Sequence, residues 1–213
     1  AIEGAPEALN RAEEELNVPV IFVTNNASRS VESVAEHLRE LGVHTRAERV
    51  VSSAQAGAAL LAQHVPAGSK VLITGTEALA DCVRAVGLET VRKEEEGPVA
   101  VIQGFDPKIG WEDLAEAAYT LANPDVLWIA TNTDQTIPKE RGQAPGNGTL
   151  VAAVATASRR TPLVAGKPEA PIFHTAAKAV NSSRPVIVGD RLDTDILGAN
   201  NAKMDGALVL TGV

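Results

Sequence analysis

Three carboxylates follow an apolar segment late in the sequence. Asp190, Asp193 and Asp195 come directly after residues 185–188, which are predicted to form a strand. Carboxylates at the end of a buried strand are costly unless a cation neutralises them. Mg²⁺ is the usual partner, because it prefers hard oxygen ligands and binds beside phosphate groups. The pattern therefore predicts a magnesium site in this turn.

Helix capping is a simpler interpretation of the same residues. Asp193 or Thr194 could cap the helix that follows, with the other acids exposed to solvent. Capping leaves Asp190 unexplained, so the metal site is the preferred hypothesis.

Two further polar segments also follow apolar segments. Thr24, Asn25 and Asn26 come after residues 18–23, and a hydroxyl with backbone N–H groups near a helix start can bind an anion. The same residue types also simply close turns. Lys167 follows a third apolar segment and could hold a phosphoryl oxygen beside an attacking carboxylate. The alternative for Lys167 is a surface lysine after a turn.

Strand-like apolar segments alternate with helical periods along the chain, which predicts parallel βα units. The predicted strands cover residues 18–23, 70–74, 99–103, 126–131, 163–165, 185–188 and 207–210. The predicted helices cover residues 31–41, 53–64, 77–86, 111–121, 149–157, 171–180 and 194–202. Open parallel sheets bind ligands at the carboxyl ends of their strands. We therefore expect the three polar segments to converge.

Two breaks in the pattern suggest an inserted domain. A new strand–helix cycle begins after the segment 65–68, which contains Pro and Gly, and the predicted elements become shorter from Pro162 onwards. Between these breaks, residues 133–148 form a long polar segment rich in Gly and Pro that is predicted to be a loop. We predict a discontinuous core of residues 1–66 and 162–213, with a second domain of residues 67–161.

Composition excludes several classes of protein. The net charge of −8 and the lack of a dense Lys/Arg segment argue against a nucleic-acid partner. No stretch of about 20 apolar residues, the length that a membrane span needs, occurs in the sequence. Cys82 is the single cysteine, which excludes an intrachain disulfide and a cysteine metal cluster. We expect a soluble cytoplasmic protein.

The order of these motifs resembles the haloacid dehalogenase (HAD) superfamily of phosphatases, in the NagD-like, 4-nitrophenyl, phosphoglycolate and glycerol-phosphate phosphatase branch. The matching strings are VIFVTNNASRS (residues 20–30), PGNGTLVAAVATASRRTPLVAGKP (145–168) and VIVGDRLDTDILGA (186–199). The resemblance implies an α/β fold, with a Rossmann-like parallel-sheet core and an inserted α/β cap domain. It also implies a small phosphate monoester as partner, Mg²⁺ as cofactor and a possible homodimer through the cap.

Residue roles carried over from the family begin with the phosphate site. Thr24 would bind the transferring phosphoryl group through its hydroxyl, and Asn25 would offer its backbone N–H. Asn26 would help to position the nucleophile and substrate. Lys167 would neutralise charge on the phosphoryl oxygens.

The resemblance assigns the remaining site residues to the metal and to the substrate. Asp190 would bind Mg²⁺ and Asp195 would lie beside the metal. Asn132 and Asp134, in the cap, would contribute to substrate specificity.

One family motif is missing from this sequence. The Asp-x-Asp-Gly that supplies the nucleophile and the general acid/base normally precedes a stretch resembling residues 1–9, and it occurs nowhere here. The resemblance therefore predicts a fragment of an active enzyme with its nucleophile upstream of Ala1. On its own, such a fragment would be inactive.

The implied reaction is Mg²⁺-dependent hydrolysis of phosphate monoesters through an aspartyl-phosphate intermediate. Glycerol 3-phosphate is the first candidate substrate, and phosphoglycolate, a sugar phosphate or a nucleoside monophosphate the next. The alternative is a non-catalytic, phosphate-binding or regulatory HAD-like module.

Overall fold

A computed structural model describes residues 2–212, so the two ends of the predicted core, Ala1 and Val213, lie outside the described residues. The chain divides by its internal contacts into two compact units. The first unit comprises the chain up to Thr24, Arg29–Ser52 and the chain from Lys167 onwards. The second comprises Asn25–Ser28 and Ser53–Gly166. The domain boundaries predicted above stay a prediction.

The second unit is built on a five-stranded parallel sheet. Its strands are β3 (Lys70–Thr74), β4 (Glu89–Val91), β5 (Ala100–Gln103), β6 (Leu127–Ala130) and β9 (Leu163–Val164), in the order β4-β3-β5-β6-β9. Its helices are α3 (Ser53–His64), α4 (Glu77–Ala85), α5 (Trp111–Thr120) and α6 (Asn147–Ser158). All four residues of β5 are buried, which is why this strand reads as a nearly continuous apolar run.

The first unit contains two separate two-stranded parallel sheets. The strands β1 (Phe22–Thr24) and β2 (Val50–Ser52) form one, and β10 (Val186–Gly189) and β11 (Asp205–Leu208) form the other. Its helices are α1 (Ala5–Glu14), α2 (Val31–Glu40), α7 (Ala170–Ala179) and α8 (Leu197–Ala202). The α/β fold with parallel strands is confirmed.

Close packing of α8 on α7 supports the turn that follows β10. A Cβ added at Gly198 would lie 2.3 Å from Cε2 of Phe173, so only glycine permits this approach. The Phe173 ring is 1% exposed. The turn with the three carboxylates therefore leads into a helix that is firmly packed.

The prediction of a loop over residues 133–148 is wrong for most of this segment. An antiparallel hairpin of β7 (Thr136–Lys139) and β8 (Gly142–Pro145) occupies most of it, and α6 begins at Asn147. Prolines at positions 138 and 145 argue against a strand when the sequence is read alone. Both are tolerated because each strand of this two-stranded sheet is an edge strand.

The predicted helix over residues 194–202 also begins differently. A π-helical turn, Leu192–Ile196, precedes α8, and side-chain caps are absent from both segments. The capping interpretation of Asp193 and Thr194 is therefore wrong. Single π-helical turns inside or beside α-helices are frequent at functional sites.

Besides the β7–β8 hairpin, the helix α1 and the strands β2 and β4 were not anticipated. The two strands have three residues each, too short for a clear alternation pattern.

Across residues 2–212, every helix is too short or too polar to traverse a lipid bilayer.

Candidate functional site

The first unit brings Lys167 and Asp195 together. Lys167 Nζ donates a hydrogen bond to Asp195 Oδ1 at 2.7 Å. The two side chains are 20% and 9% exposed, so water screens this ion pair only in part. Asp195 Oδ2 accepts a further hydrogen bond, from the backbone N–H of Arg191 at 3.2 Å.

Asp195 is fixed by its backbone surroundings as well. A Cβ added at Gly189 would lie 2.4 Å from the Asp195 carboxyl carbon, so the carboxylate packs directly on the last residue of β10. With Lys167 on one oxygen and the Arg191 amide on the other, the charge of this buried carboxylate is compensated.

Asp190 directly follows β10 and is partly buried. The backbone of Gly212 lies against it, because a Cβ added at Gly212 would be 2.0 Å from Asp190 Oδ2. Thr24, the last residue of β1, is also partly buried and pairs in register with Ser52. Each residue therefore stands at the carboxyl end of a parallel strand.

Asp193 faces a different partner. Its carboxylate accepts two hydrogen bonds from the Arg191 guanidinium, at 3.0 and 2.7 Å, and its side chain is 67% exposed. The hydrogen bond from Arg191 holds the pKa of Asp193 below its usual value. The Asp193 carboxylate is therefore engaged at the surface, whereas Asp195 is buried.

The second unit brings Asn25, Asn132 and Asp134 together. Asn25 Nδ2 lies 3.2 and 3.3 Å from the two carboxylate oxygens of Asp134. Asn132 Nδ2 donates to the Asn25 carbonyl oxygen at 2.8 Å, and Asn132 Oδ1 accepts from the Asp134 N–H at 3.2 Å. Asn132 is 4% exposed, so its carboxamide serves these internal contacts.

Asn26 is exposed and makes local contacts. Its Oδ1 accepts hydrogen bonds from the N–H of Ser28 at 2.8 Å and from the Ser28 hydroxyl at 3.0 Å. This arrangement is an Asx turn, which shapes the segment before α2.

Two residues beside Asn25 were not anticipated. Ser53, the first residue of α3, donates from its hydroxyl to the Asn25 carbonyl at 2.7 Å and is fully buried. A Cβ added at Gly166 would lie 2.5 Å from the Thr131 carbonyl oxygen and 2.6 Å from Asn25 Oδ1. The hydroxyl residues that follow Val50 and Val51 were the available signal for Ser53, and it was missed because β2 was not predicted.

The residues of the first unit fit a hard divalent cation. Asp190 offers carboxylate oxygens at a strand end, the donor type that Mg²⁺ prefers. The ion pair with Lys167 suits Asp195 to a place beside the metal instead of direct coordination. Among residues 2–212, no group of three or more His, Cys, Asp or Glu side chains is arranged to hold a metal.

Two family models match the chain, one towards each end. A haloacid dehalogenase-like hydrolase model matches residues 1–89, and a HAD-hydrolase-like model matches residues 164–213.

Individual relatives give the same picture. The chain is 55% identical over 194 residues to the D-glycerol 3-phosphate phosphatase of Mycobacterium tuberculosis, covering 91% of this chain and 54% of the relative. It is 36% identical to the acid sugar phosphatase of Staphylococcus saprophyticus, covering 100% of this chain and 81% of the relative. The chain thus spans about half the length of the mycobacterial relative.

A solved structure agrees with the sequence comparison. The crystal structure of a glycerol phosphate phosphatase from Mycobacterium tuberculosis in complex with magnesium superposes with a TM-score of 0.92 at 49% identity. The match covers 100% of this chain and 63% of the crystallised one. On this sequence and structural similarity, the chain belongs to the haloacid dehalogenase-like hydrolase family.

Proposed function

We propose that this chain carries the phosphate-binding and metal-binding part of an Mg²⁺-dependent phosphatase for small phosphate monoesters. The observation that carries the proposal is the partly buried pair of Lys167 Nζ and Asp195 Oδ1, 2.7 Å apart. A lysine held this way is a fixed positive charge at the start of a βα connection, where phosphoryl oxygens can use it.

Thr24 is the proposed hydroxyl donor to the phosphoryl group, and Asn25, the next residue in the chain, the proposed backbone donor. Lys167 would neutralise the charge that builds up on the phosphoryl oxygens. Asp195 would keep the Lys167 ammonium in place through their hydrogen bond. Asn26 would support the shape of the segment through its Asx turn.

Asp190 is the proposed protein ligand of Mg²⁺, with Asp195 beside the ion. Bound Mg²⁺ supplies positive charge that polarises the phosphoryl group and orients it. The magnesium complex of the mycobacterial relative supports this assignment. The nucleophilic aspartate that the resemblance places upstream of residue 1 stays a prediction.

Glycerol 3-phosphate is our first candidate substrate. The similarity to a D-glycerol 3-phosphate phosphatase and an acid sugar phosphatase supports a small polyol or sugar ester. Exposed polar side chains in and before the β7–β8 hairpin, Gln135, Thr136 and Lys139, could contact hydroxyl or anionic groups. Phosphoglycolate and a nucleoside monophosphate are the next candidates.

The cap role of residues 67–161 and a homodimer formed through them are part of this proposal. Native mass spectrometry of the intact protein would detect such a dimer.

The cap role predicts that substitutions in the β7–β8 hairpin should change the preference among substrates while leaving turnover of 4-nitrophenyl phosphate nearly unchanged.

The proposal is tested with the protein as its gene encodes it. We expect hydrolysis of 4-nitrophenyl phosphate that requires Mg²⁺ and stops with EDTA, and faster hydrolysis of glycerol 3-phosphate than of the other candidates. Lys167→Met should abolish activity, whereas Lys178→Met, a matched change at an exposed position of α7, should not. Phosphate binding without any turnover would contradict the proposal and favour a non-catalytic module.

A further inference from the structure

Hydrogen bonds fix both the backbone and the side chain of Asn25. Its carbonyl oxygen accepts two hydrogen bonds, from Ser53 Oγ at 2.7 Å and from Asn132 Nδ2 at 2.8 Å. Its side-chain amide lies within hydrogen-bond distance of both Asp134 oxygens. A carbonyl with two buried donors has little freedom to rotate, so the peptide that joins Asn25 to Asn26 is fixed. Because the side chain is held as well, the whole Asn25 residue is confined.

The donors themselves are rigid. Ser53 is fully buried at the first turn of α3, and Asn132 is 4% exposed directly after β6 and Thr131. The Asn132 backbone carbonyl also accepts from Asn147 Nδ2 at 2.7 Å, which ties it to the start of α6. Regular secondary structure therefore supports both hydrogen bonds on the Asn25 carbonyl.

Gly166 packs closely against the Asn25 side chain. The Gly166 Cα lies so close that an added Cβ would be 2.6 Å from Asn25 Oδ1. Asn25 is thus confined by Ser53, Asn132, Asp134 and Gly166, all within the second unit. Such redundancy is more than a surface turn requires, and it is typical of a group whose direction matters.

We propose that Ser53 and Asn132 are positioning residues, which hold the Asn25 residue in place through its carbonyl so that its own N–H, in the preceding peptide, is directed at a phosphoryl oxygen of the substrate. This inference rests on the proposed phosphatase function. It gives Asn132 a different role from the substrate contact that the family resemblance suggested. Neither residue needs to touch the substrate, because both act through the Asn25 carbonyl.

Loss of one donor should misdirect the backbone without unfolding the protein. An error of about 1 Å in a positioned group can cost as much as 100-fold in rate. For Ser53→Ala we expect roughly a tenfold loss of kcat/KM, because Asn132 still holds the carbonyl. Asn132→Ala should lose more, since Asp134 also depends on it.

The experiment uses the protein as its gene encodes it, with Ser53→Ala, Asn132→Ala and the control Ser158→Ala. Ser158 Oγ donates to the Val154 carbonyl at 2.8 Å inside α6, so the control removes a comparable hydroxyl at a site without a proposed role. The measurements are kcat/KM for 4-nitrophenyl phosphate, the affinity for inorganic phosphate by calorimetry with Mg²⁺, and the melting temperature.

We expect weaker phosphate binding by several-fold in Ser53→Ala and Asn132→Ala, and unchanged phosphate binding in Ser158→Ala. The melting temperature of Ser53→Ala should match that of the control. Wild-type phosphate affinity in folded Ser53→Ala and Asn132→Ala would overturn the positioning role. If wild type binds phosphate in a Ser53-dependent manner but hydrolyses no ester, only the proposed phosphatase function fails.

Discussion

In the first unit the candidate site residues other than Thr24 are charged, whereas in the second those other than Asp134 are neutral amides and hydroxyls. Lys167 and Asp195 form an ion pair in the first, and Asn25 accepts hydrogen bonds from Ser53 and Asn132 in the second. Charges can stabilise a phosphoryl group directly, while neutral donors are suited to fixing backbone geometry. Under the proposed function, the charged residues would stabilise the phosphoryl group and the neutral residues would fix the backbone geometry.

The two units differ in their cores as well. Strand β5 of the second unit is buried throughout, while Val186 and Val188 of β10 are 56% and 64% exposed. Two-stranded sheets are marginal by themselves and depend on packing against other elements. The second unit therefore has the better-formed sheet, although the proposed metal ligand lies in the first.

The largest expected effect is the loss of metal-dependent turnover in Asp190→Asn. Removing the charged ligand should lower kcat/KM by roughly 1,000-fold, equivalent to about 4 kcal/mol of transition-state stabilisation. Steady-state hydrolysis of 4-nitrophenyl phosphate across Mg²⁺ concentrations measures it. Asp205→Asn, an exposed position of β11 in the same unit, should keep wild-type activity. Equal losses in both variants would refute the special role of Asp190.

Matched valine truncations sharpen the comparison of the two cores. Val101 is completely buried in β5, whereas Val188 is 64% exposed in β10. Val101→Ala should lower the free energy of unfolding by about 2–3 kcal/mol, because it removes buried methyl groups and leaves a cavity. Val188→Ala should change it by less than about 0.5 kcal/mol. Urea denaturation of both variants measures the difference, and a large effect at Val188 would show that this strand is covered.

A glycine substitution tests how tightly Asn25 is confined. Gly166→Ala should destabilise the protein by about 1–3 kcal/mol, since the new methyl group would meet Asn25 and the Thr131 carbonyl. Phosphate binding should weaken with it. Gly110→Ala is the control, because its nearest neighbour would be Asp113 Oδ2 at 3.9 Å. Similar stability of the two variants in thermal unfolding would argue against close packing at Gly166.

The smallest expected effect concerns pH. The folded-state pKa of Asp193 is lowered by its hydrogen bond from Arg191, so the pair stabilises the native state above the unfolded pKa of the carboxyl. That contribution is lost as the pH falls through the lowered folded pKa. The side chain is exposed, so it amounts to about 0.5 kcal/mol or less. Wild type and Asp193→Asn should therefore differ slightly in stability at neutral pH and converge in acid, and a constant difference across pH would contradict this.

Much of the fold could be predicted from periodicity. The helix over residues 53–64 and the strand over residues 70–74 match α3 and β3 residue for residue, because Pro66 and Gly68 separate the two segments and Gly75 follows the second. The three-residue strands β2 and β4 escaped prediction because so few residues carry no clear period. The β7–β8 hairpin escaped because its prolines and glycines read as a loop.

Some residues of the candidate site could likewise be predicted from the sequence, whereas others could not. Lys167 and Asp195 could be singled out because charged residues after apolar segments are conspicuous. Their ion pair could not be foreseen, since it joins positions 28 residues apart. Ser53 and Gly166 gave little sequence signal, because their importance depends on contacts with Asn25 that only the tertiary structure reveals.

The most direct test of the account is the location of the metal. Crystals of the protein as its gene encodes it, grown with Mn²⁺ in place of Mg²⁺ and with inorganic phosphate, would reveal the ion by its anomalous signal. We predict an Asp190 carboxylate oxygen within about 2.2 Å of the metal and Lys167 Nζ hydrogen-bonded to the phosphate. A metal bound elsewhere, with Asp190 contributing no ligand, would contradict the account.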